Sequence, residues 1–176
     1  GSTPMRIVMA LGGNAIAPPD GAPDFDAQIE RVRVAAAEIA RLARRHQLVV
    51  THGNGPQVGW LAAQSTSLPL DVAGAESEGM IGYWIEREVG NLMPDRELAT
   101  LLTQVEVDRG DPAFMHPEKP IGPVFDAQEA ARLEAERGWR FVDEDGGRRR
   151  VVASPRPRAV LEAVSYTHLT LPTNRE

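Results

Sequence analysis

Apolar side chains along this chain follow two rhythms, one of short continuous runs and one of three- and four-residue spacing. Residues 6–11 (RIVMAL) are almost wholly apolar and stop at Gly12-Gly13-Asn14, the pattern of a buried parallel strand that ends in a tight loop. After a Pro/Asp-rich stretch, residues 25–46 place Ile29, Val32, Ala36, Ile39, Leu42 and Ala43 on one helical face, with Asp24 or Asp26 as the cap. A second β-branched run, residues 48–51 (LVVT), leads directly into His52-Gly53-Asn54-Gly55. Pro56 sits where a first helical turn begins, and Val58, Leu61 and Ala62 continue at helical spacing. Strand, loop, helix, strand, loop, helix is βαβ order, so the expected fold class is α/β with an open, mainly parallel sheet sandwiched by helices.

Further along, Met80, Ile81, Trp84, Ile85, Val89 and Leu92 mark a long helix over residues 73–92, apolar enough to be buried or to form a subunit contact. Residues 98–107 (LATLLTQVEV) predict a third strand. From Asp108 the texture changes to a proline-rich, aperiodic segment, followed by a helix over 126–137 and two strand-like runs around Asp145-Gly146-Gly147 that predict a hairpin. Residues 111–152 therefore read as a small protruding, lid-like subdomain inserted in the α/β body. Residues 154–164 are expected to return to that body and start a helix. Residues 165–176 (SYTHLTLPTNRE) have no helical face and read as a non-native or frayed tail, and residues 1–4 read as leader.

Composition narrows the chemistry. With 176 residues and 42% hydrophobic content the chain can bury one sizeable core. A net charge of -6 and a pI near 5.3 favour neither nucleic acid nor an anionic membrane surface. No apolar run reaches the roughly 18 residues of a membrane span, and a cytoplasmic protein is expected. The absence of cysteine removes disulfides, thiolate metal sites and thiol nucleophiles. Lys119 is the only lysine among 19 basic residues, which singles it out.

Two glycine-rich loops, Gly12-Gly13-Asn14 and Gly53-Asn54-Gly55, each follow a predicted parallel strand and precede a helix, where open α/β sheets bind ligands. Glycine lets backbone N–H groups approach an anion, a helix N-terminus adds a favourable dipole, and the two asparagine amides can donate or accept. A glycine after a strand is more often only a turn, but the recurrence with asparagine counts against that reading, and two such loops side by side would make an anion cradle. A dinucleotide fingerprint fails because Asp71 precedes a helix and Pro56 interrupts the turn, and no P-loop occurs. His52 reads as support for the loop backbone. Glu76 and Glu78, two apart on a helix, do not form a metal pair, and no metal ligands are assigned. Arg148-Arg149-Arg150 read as a solvated hairpin arm. Phosphoryl transfer needs positive charge near the moving group, and Lys119, in the proline-stiffened excursion, is the catalytic candidate, carried on a lid over the two loops.

ALGGNA (10–15), THGNGPQVG (51–59), PLDVAGAESEGMIGYWI (69–85), DPAF with KPIGP (111–123) and RRVVASPRP (149–157) resemble carbamate kinases, in matching order from Met5 to about Val164. The resemblance implies the amino acid kinase fold, a homodimer, and reversible transfer between ATP and carbamate that gives ADP and carbamoyl phosphate, with Mg²⁺ on the nucleotide and flux towards ATP in arginine breakdown. It implies that Gly12, Gly13, Asn14, Gly53, Asn54 and Gly55 surround carbamate and the moving phosphoryl group. Related acid kinases carry a lysine before the first loop where this chain has Ala10, and Lys119 is expected to fill that role. Family members are longer, and their later half supplies further lysines and the nucleotide pocket, so this chain is expected to be incomplete and inactive alone. The alternatives are a kinase for another small carboxylate, or a non-catalytic fragment that binds an anion or dimerises.

Overall fold

The structure, a computed structural model, describes residues 3–17, 24–64 and 68–163. The body opens with β1 (Arg6–Leu11), a one-turn helix α1 (Gly13–Ile16), α2 (Phe25–Ala43), β2 (Gln47–His52), α3 (Gly55–Gln64) and α4 (Leu70–Leu92). β1 and β2 pair in parallel from Arg6 opposite Gln47 to Leu11 opposite His52. Met9, Leu11, Leu48 and Val50 pack on one face of this pair against Val32, Ala36 and Ile39 of α2 and Ile81, Ile85 and Val89 of α4. The alternation along β1 leaves Arg6, Val8 and Ala10 exposed on the other face. Asp24 caps α2 by accepting from the Ala27 N–H at 3.0 Å, and Phe25 meets Trp84 edge-on, so the helix start is tied to α4.

Beyond α4, β3 (Val105–Val107) is followed by a 3₁₀ turn at Pro112–Phe114, β4 (Lys119–Phe125), α5 (Ala127–Arg137), β5 (Arg140–Glu144), β6 (Gly147–Val152) and β7 (Pro157–Val160). β4, β6 and β5 form an antiparallel sheet in that order, and α5 packs on it through Ala130, Leu133, Phe141 and Phe125. Asp126 caps α5 and Gly138, at φ +65°, ends it.

Two expectations are corrected. Only Val105–Val107 of the predicted 98–107 strand is a strand, and it pairs antiparallel with β7, not with the β1–β2 sheet. The preceding residues lie along α4: Thr100 Oγ1 donates to Glu86 Oε2 at 2.5 Å and lies 3.3 Å from the Gly82 carbonyl, and Glu78 accepts from the Thr103 N–H at 3.0 Å. Residues 157–160, expected to enter a helix, form β7. The arginine arm is also not simply solvated. Arg148 forms a two-pronged pair with Glu134, Arg149 faces Glu144, and Arg150 stacks 3.7 Å above the Trp139 ring. Burial, and after it the charge of Arg137, pushes Arg150 down to about 10. The tail assigned to 165–176 lies outside the described residues.

The small sheet does not stand free of the body. A Cβ placed on Gly59 of α3 would lie 2.0 Å from the backbone nitrogen of Gly122 in β4, and Gly122 adopts φ +72°. Two glycines thus bring helix backbone and strand backbone into direct contact, possible only where neither carries a side chain.

Candidate substrate site

The parallel register brings the two glycine loops together. Leu11 and His52 are partners at the ends of β1 and β2, and the Gly53 N–H donates to the Leu11 carbonyl at 3.0 Å, carrying the ladder one step into the loops. The first loop closes at once into α1, with the Ala15 N–H on the Gly12 carbonyl at 2.9 Å. The second opens α3, where the Val58 N–H reaches the Asn54 carbonyl at 2.9 Å. Gly12 and Gly13-Asn14 therefore stand beside Gly53-Asn54-Gly55 at the carboxyl ends of two parallel strands, with the N-terminus of a ten-residue helix at their edge, where Gly55 and Gln57 carry backbone N–H groups and Pro56 carries none.

Gly12 and Gly55 have no positive φ, and a Cβ on either would meet nothing within 4 Å. Neither packing nor backbone conformation calls for glycine there. What the missing side chains leave is open space against backbone, as close approach of a ligand requires.

Asn54 is held from behind. Its Nδ2 donates to Ser77 Oγ at 2.7 Å and to the Gly74 carbonyl at 3.4 Å, while the Ser77 hydroxyl donates to the same carbonyl at 2.7 Å. Turning the amide over would set Oδ1 near the Gly74 carbonyl and draw the Ser77 hydrogen away from that carbonyl, leaving the carbonyl without either donor, a cost of about 1–2 kcal/mol. His52 Nδ1 lies 3.3 Å from the Gly53 carbonyl, in keeping with loop support. Deeper in α3, Gln57 is fully buried; its Nε2 donates to Gln28 Oε1 at 3.0 Å and its own Oε1 has no partner.

Lys119 begins β4 and is exposed. It lines a concavity of about 290 Å³ with Pro112, Ala113, His116, Glu118 and Ser154, and Gly12, Gly53, Asn54 and Gly55 are not among its lining residues. Its link to them runs through the backbone: three residues on, Gly122 rests against Gly59, one turn into the helix that the second loop opens. Entry and exit of the small sheet are clamped by one carboxylate. Asp111 accepts from the Ala113 N–H at 2.8 Å and from the Arg156 N–H at 2.9 Å, and these bonds, Ala113 first, hold it below the usual carboxylate range. A larger concavity, about 390 Å³, lies away from the loops on the outer side of α4, between Tyr83, Arg87 and Leu98.

Sequence reasoning singles out the loops and Lys119 but not Ser77, Gly74 or Asp111, which the structure places behind Asn54 and at the base of the small sheet. Ser77 lies at the centre of Glu76-Ser77-Glu78 in α4, where the flanking glutamates are the stronger signal. Asp111-Pro112 carries an ordinary helix-cap signal that only the fold connects to Arg156.

Residues 5–118 match the model of the amino acid kinase family. The chain is 50% identical over 165 residues to the carbamate kinase of Rhizobium meliloti, covering 90% of this chain and 51% of that protein. It is 49% identical over 165 residues to the carbamate kinase of Haemophilus influenzae, covering 90% and 53%. Among solved structures, the carbamate kinase of Giardia lamblia bound to citric acid superposes with a TM-score of 0.80 at 35% identity, covering 96% of this chain and 58% of that one. The same enzyme bound to AMP-PNP gives 0.74 at 36% identity, covering 96% and 57%. This chain thus spans little more than half the length of these relatives, and over that span the sequence match, the side-by-side glycine loops and the superposition agree: the chain belongs to the amino acid kinase family.

Proposed function

We propose that this chain carries the carbamate-side half of a carbamate kinase, the enzyme that transfers a phosphoryl group reversibly between ATP and carbamate to give ADP and carbamoyl phosphate. The observation that carries this reading is the pairing of β1 with β2, which sets two open glycine loops side by side at a helix N-terminus. The relatives named carbamate kinase at up to 50% identity supply the substrate.

In this reading the backbone N–H groups at the start of α3 take the phosphoryl oxygens, and Gly12, Gly13, Asn14, Gly53, Asn54 and Gly55 surround carbamate and the group in flight. Catalysis of phosphoryl transfer is chiefly positioning and charge stabilisation. Lys119, free of any carboxylate partner among the described residues, brings the positive charge. Since its concavity does not yet include Gly12, Gly53, Asn54 or Gly55, the small sheet acts as a lid, shifting Lys119 towards them about the Gly59–Gly122 contact. The nucleotide belongs to the part of the relatives that this chain does not span. Mg²⁺ travels on the nucleotide phosphates; no three His, Asp or Glu side chains among the described residues are grouped to hold a metal. Val72 and Tyr83, exposed on the outer side of α4, are the surface on which two copies pair in a homodimer. No helix among the described residues is long and apolar enough to cross a membrane, and the acidic charge disfavours nucleic acid. A cytoplasmic place in arginine breakdown, with flux towards ATP, completes the proposal.

The test is coupled ATP formation from carbamoyl phosphate and MgADP, run on the 176-residue chain and on a chain extended to the relatives' length. Activity in the longer chain alone is expected. Activity in the short chain would show that the nucleotide site lies within it, and silence in both would reject carbamate kinase.

A further inference from the structure

The Asn54 amide has a fixed polarity, and that polarity restricts what the second loop can recognise. Ser77 is fully buried, and its one hydroxyl hydrogen goes to the Gly74 carbonyl at 2.7 Å. With that hydrogen on the Gly74 carbonyl, Ser77 Oγ accepts from Asn54, and the group 2.7 Å away is the amide nitrogen. The second amide hydrogen is turned to the Gly74 carbonyl, itself an obligate acceptor, at 3.4 Å. Both donors of Asn54 are spent on α4, leaving Oδ1 as its one uncommitted polar atom. Asn54 is half-buried, and Oδ1 is not among the buried side-chain atoms that lack a partner, so it remains reachable from solvent.

The loop consequently offers two opposite functions side by side: backbone N–H donors at the start of α3, suited to an anionic oxygen, and an acceptor at Asn54 Oδ1, suited to an N–H. Resting on the carbamoyl phosphate reading above, we propose that Ser77 is a positioning residue that sets Asn54 as an acceptor, so that the loop selects an acyl phosphate whose carbonyl carbon bears an amino group over the isostere that bears a methyl group. Carbamoyl phosphate and acetyl phosphate differ in this one substituent. A site that offers a fixed acceptor loses its hydrogen bond with the methyl analogue, and one such bond corresponds to about tenfold in affinity.

Two measurements on the 176-residue chain test this. In the ligand-free protein, the Asn54 side-chain NH₂ protons should give NMR contacts to Ser77 and Gly74, and these should vanish in Ser77→Ala. An Asn54 amide in free exchange with solvent and without contact to Ser77 overturns the proposal. Titrations with fresh carbamoyl phosphate and acetyl phosphate should give a preference of about tenfold for the former in the native chain. In Ser77→Ala the ratio should fall towards one while acetyl phosphate binds as before, an effect that general loosening of α4 would not produce. Should Ser77→Ala fold poorly, Asn54→Leu is read by the ratio of the two affinities alone, which should fall towards one whatever the loss in absolute affinity for either ligand. Equal affinity for the two ligands in the native chain, or an undiminished preference in the variants, rejects the selectivity and leaves the function standing. Binding of neither ligand contradicts the function and the selectivity with it.

Discussion

A methyl group added to Gly59 sets helix propensity against packing, with opposite signs. Alanine is favoured over glycine within a helix by about 1 kcal/mol, so propensity alone predicts a more stable chain for Gly59→Ala. The new Cβ, however, would stand 2.0 Å from the nitrogen and 2.1 Å from the Cα of Gly122, and 2.9 Å from the carbonyl carbon of Ile121. Carbon contacts settle near 3.5 Å, so β4 must withdraw by roughly 1.5 Å. Every atom met is backbone, and none can rotate aside. Overpacking that moves backbone costs about 1–3 kcal/mol, and this geometry belongs at the upper end or beyond, leaving a net loss of about 2 kcal/mol. For a chain of this length that is a fall in Tm of about 4–8 °C. Gly122→Ala should cost at least as much, since its φ of +72° disfavours a side chain and its Cβ would lie 3.2 Å from Gly59 backbone atoms. Because the two substitutions break one contact, the double variant should fall well short of the sum of the singles. Thermal unfolding followed by circular dichroism reads all three. A Tm for Gly59→Ala equal to or above that of the parent would refute the close contact and the coupling of Lys119 to the second loop.

Gly55→Ala should do the reverse, leaving stability unchanged or raised by up to about 1 kcal/mol while lowering carbamoyl phosphate affinity more than tenfold, because the Cβ enters open space and meets only ligand; unchanged affinity by calorimetry would contradict the cradle. Lys119→Ala, at a position exposed and without a carboxylate partner among the described residues, should leave Tm within the spread of surface changes, about 0.5 kcal/mol, yet reduce ATP formation by a chain of the relatives' length by about 10²–10³-fold; a drop under fivefold would remove Lys119 from the chemistry. Asp111 is held below the usual carboxylate range, so its contribution is complete above the unfolded carboxylate pKa and disappears as pH falls through the depressed folded value. Asp111→Asn should accordingly be less stable than the parent at neutral pH, with the two denaturation curves converging in strong acid; a constant gap down to low pH would show that the charge is not what clamps residues 113 and 156.

The elements that were legible in the sequence are those whose signal is local. The α2 face from Ile29 to Ala43, the glycine loops after two β-branched runs and the Asp145–Gly147 turn all depend on neighbours in the chain, and all stand where expected. Residues 98–104 were misread because their apolar pattern fits a strand, but a strand needs a partner. Among the described residues none pairs with them, and they lie on α4 where Gly82 makes room for Thr100. β7 was missed for the complementary reason, since residues 157–160 become a strand only by meeting β3, some fifty residues back. At the site, the backbone cradle could be read from spacing, whereas the polarity of Asn54 could not, because it depends on a serine 23 residues away that spends its hydrogen on its own helix.

The central claim is that this chain keeps the carbamate side of the reaction and not the nucleotide side, and calorimetry on the 176-residue chain tests it directly. Titration with carbamoyl phosphate should give saturable binding that Gly55→Ala weakens more than tenfold, while titration with MgADP should give none. Binding of MgADP without carbamoyl phosphate would contradict the account.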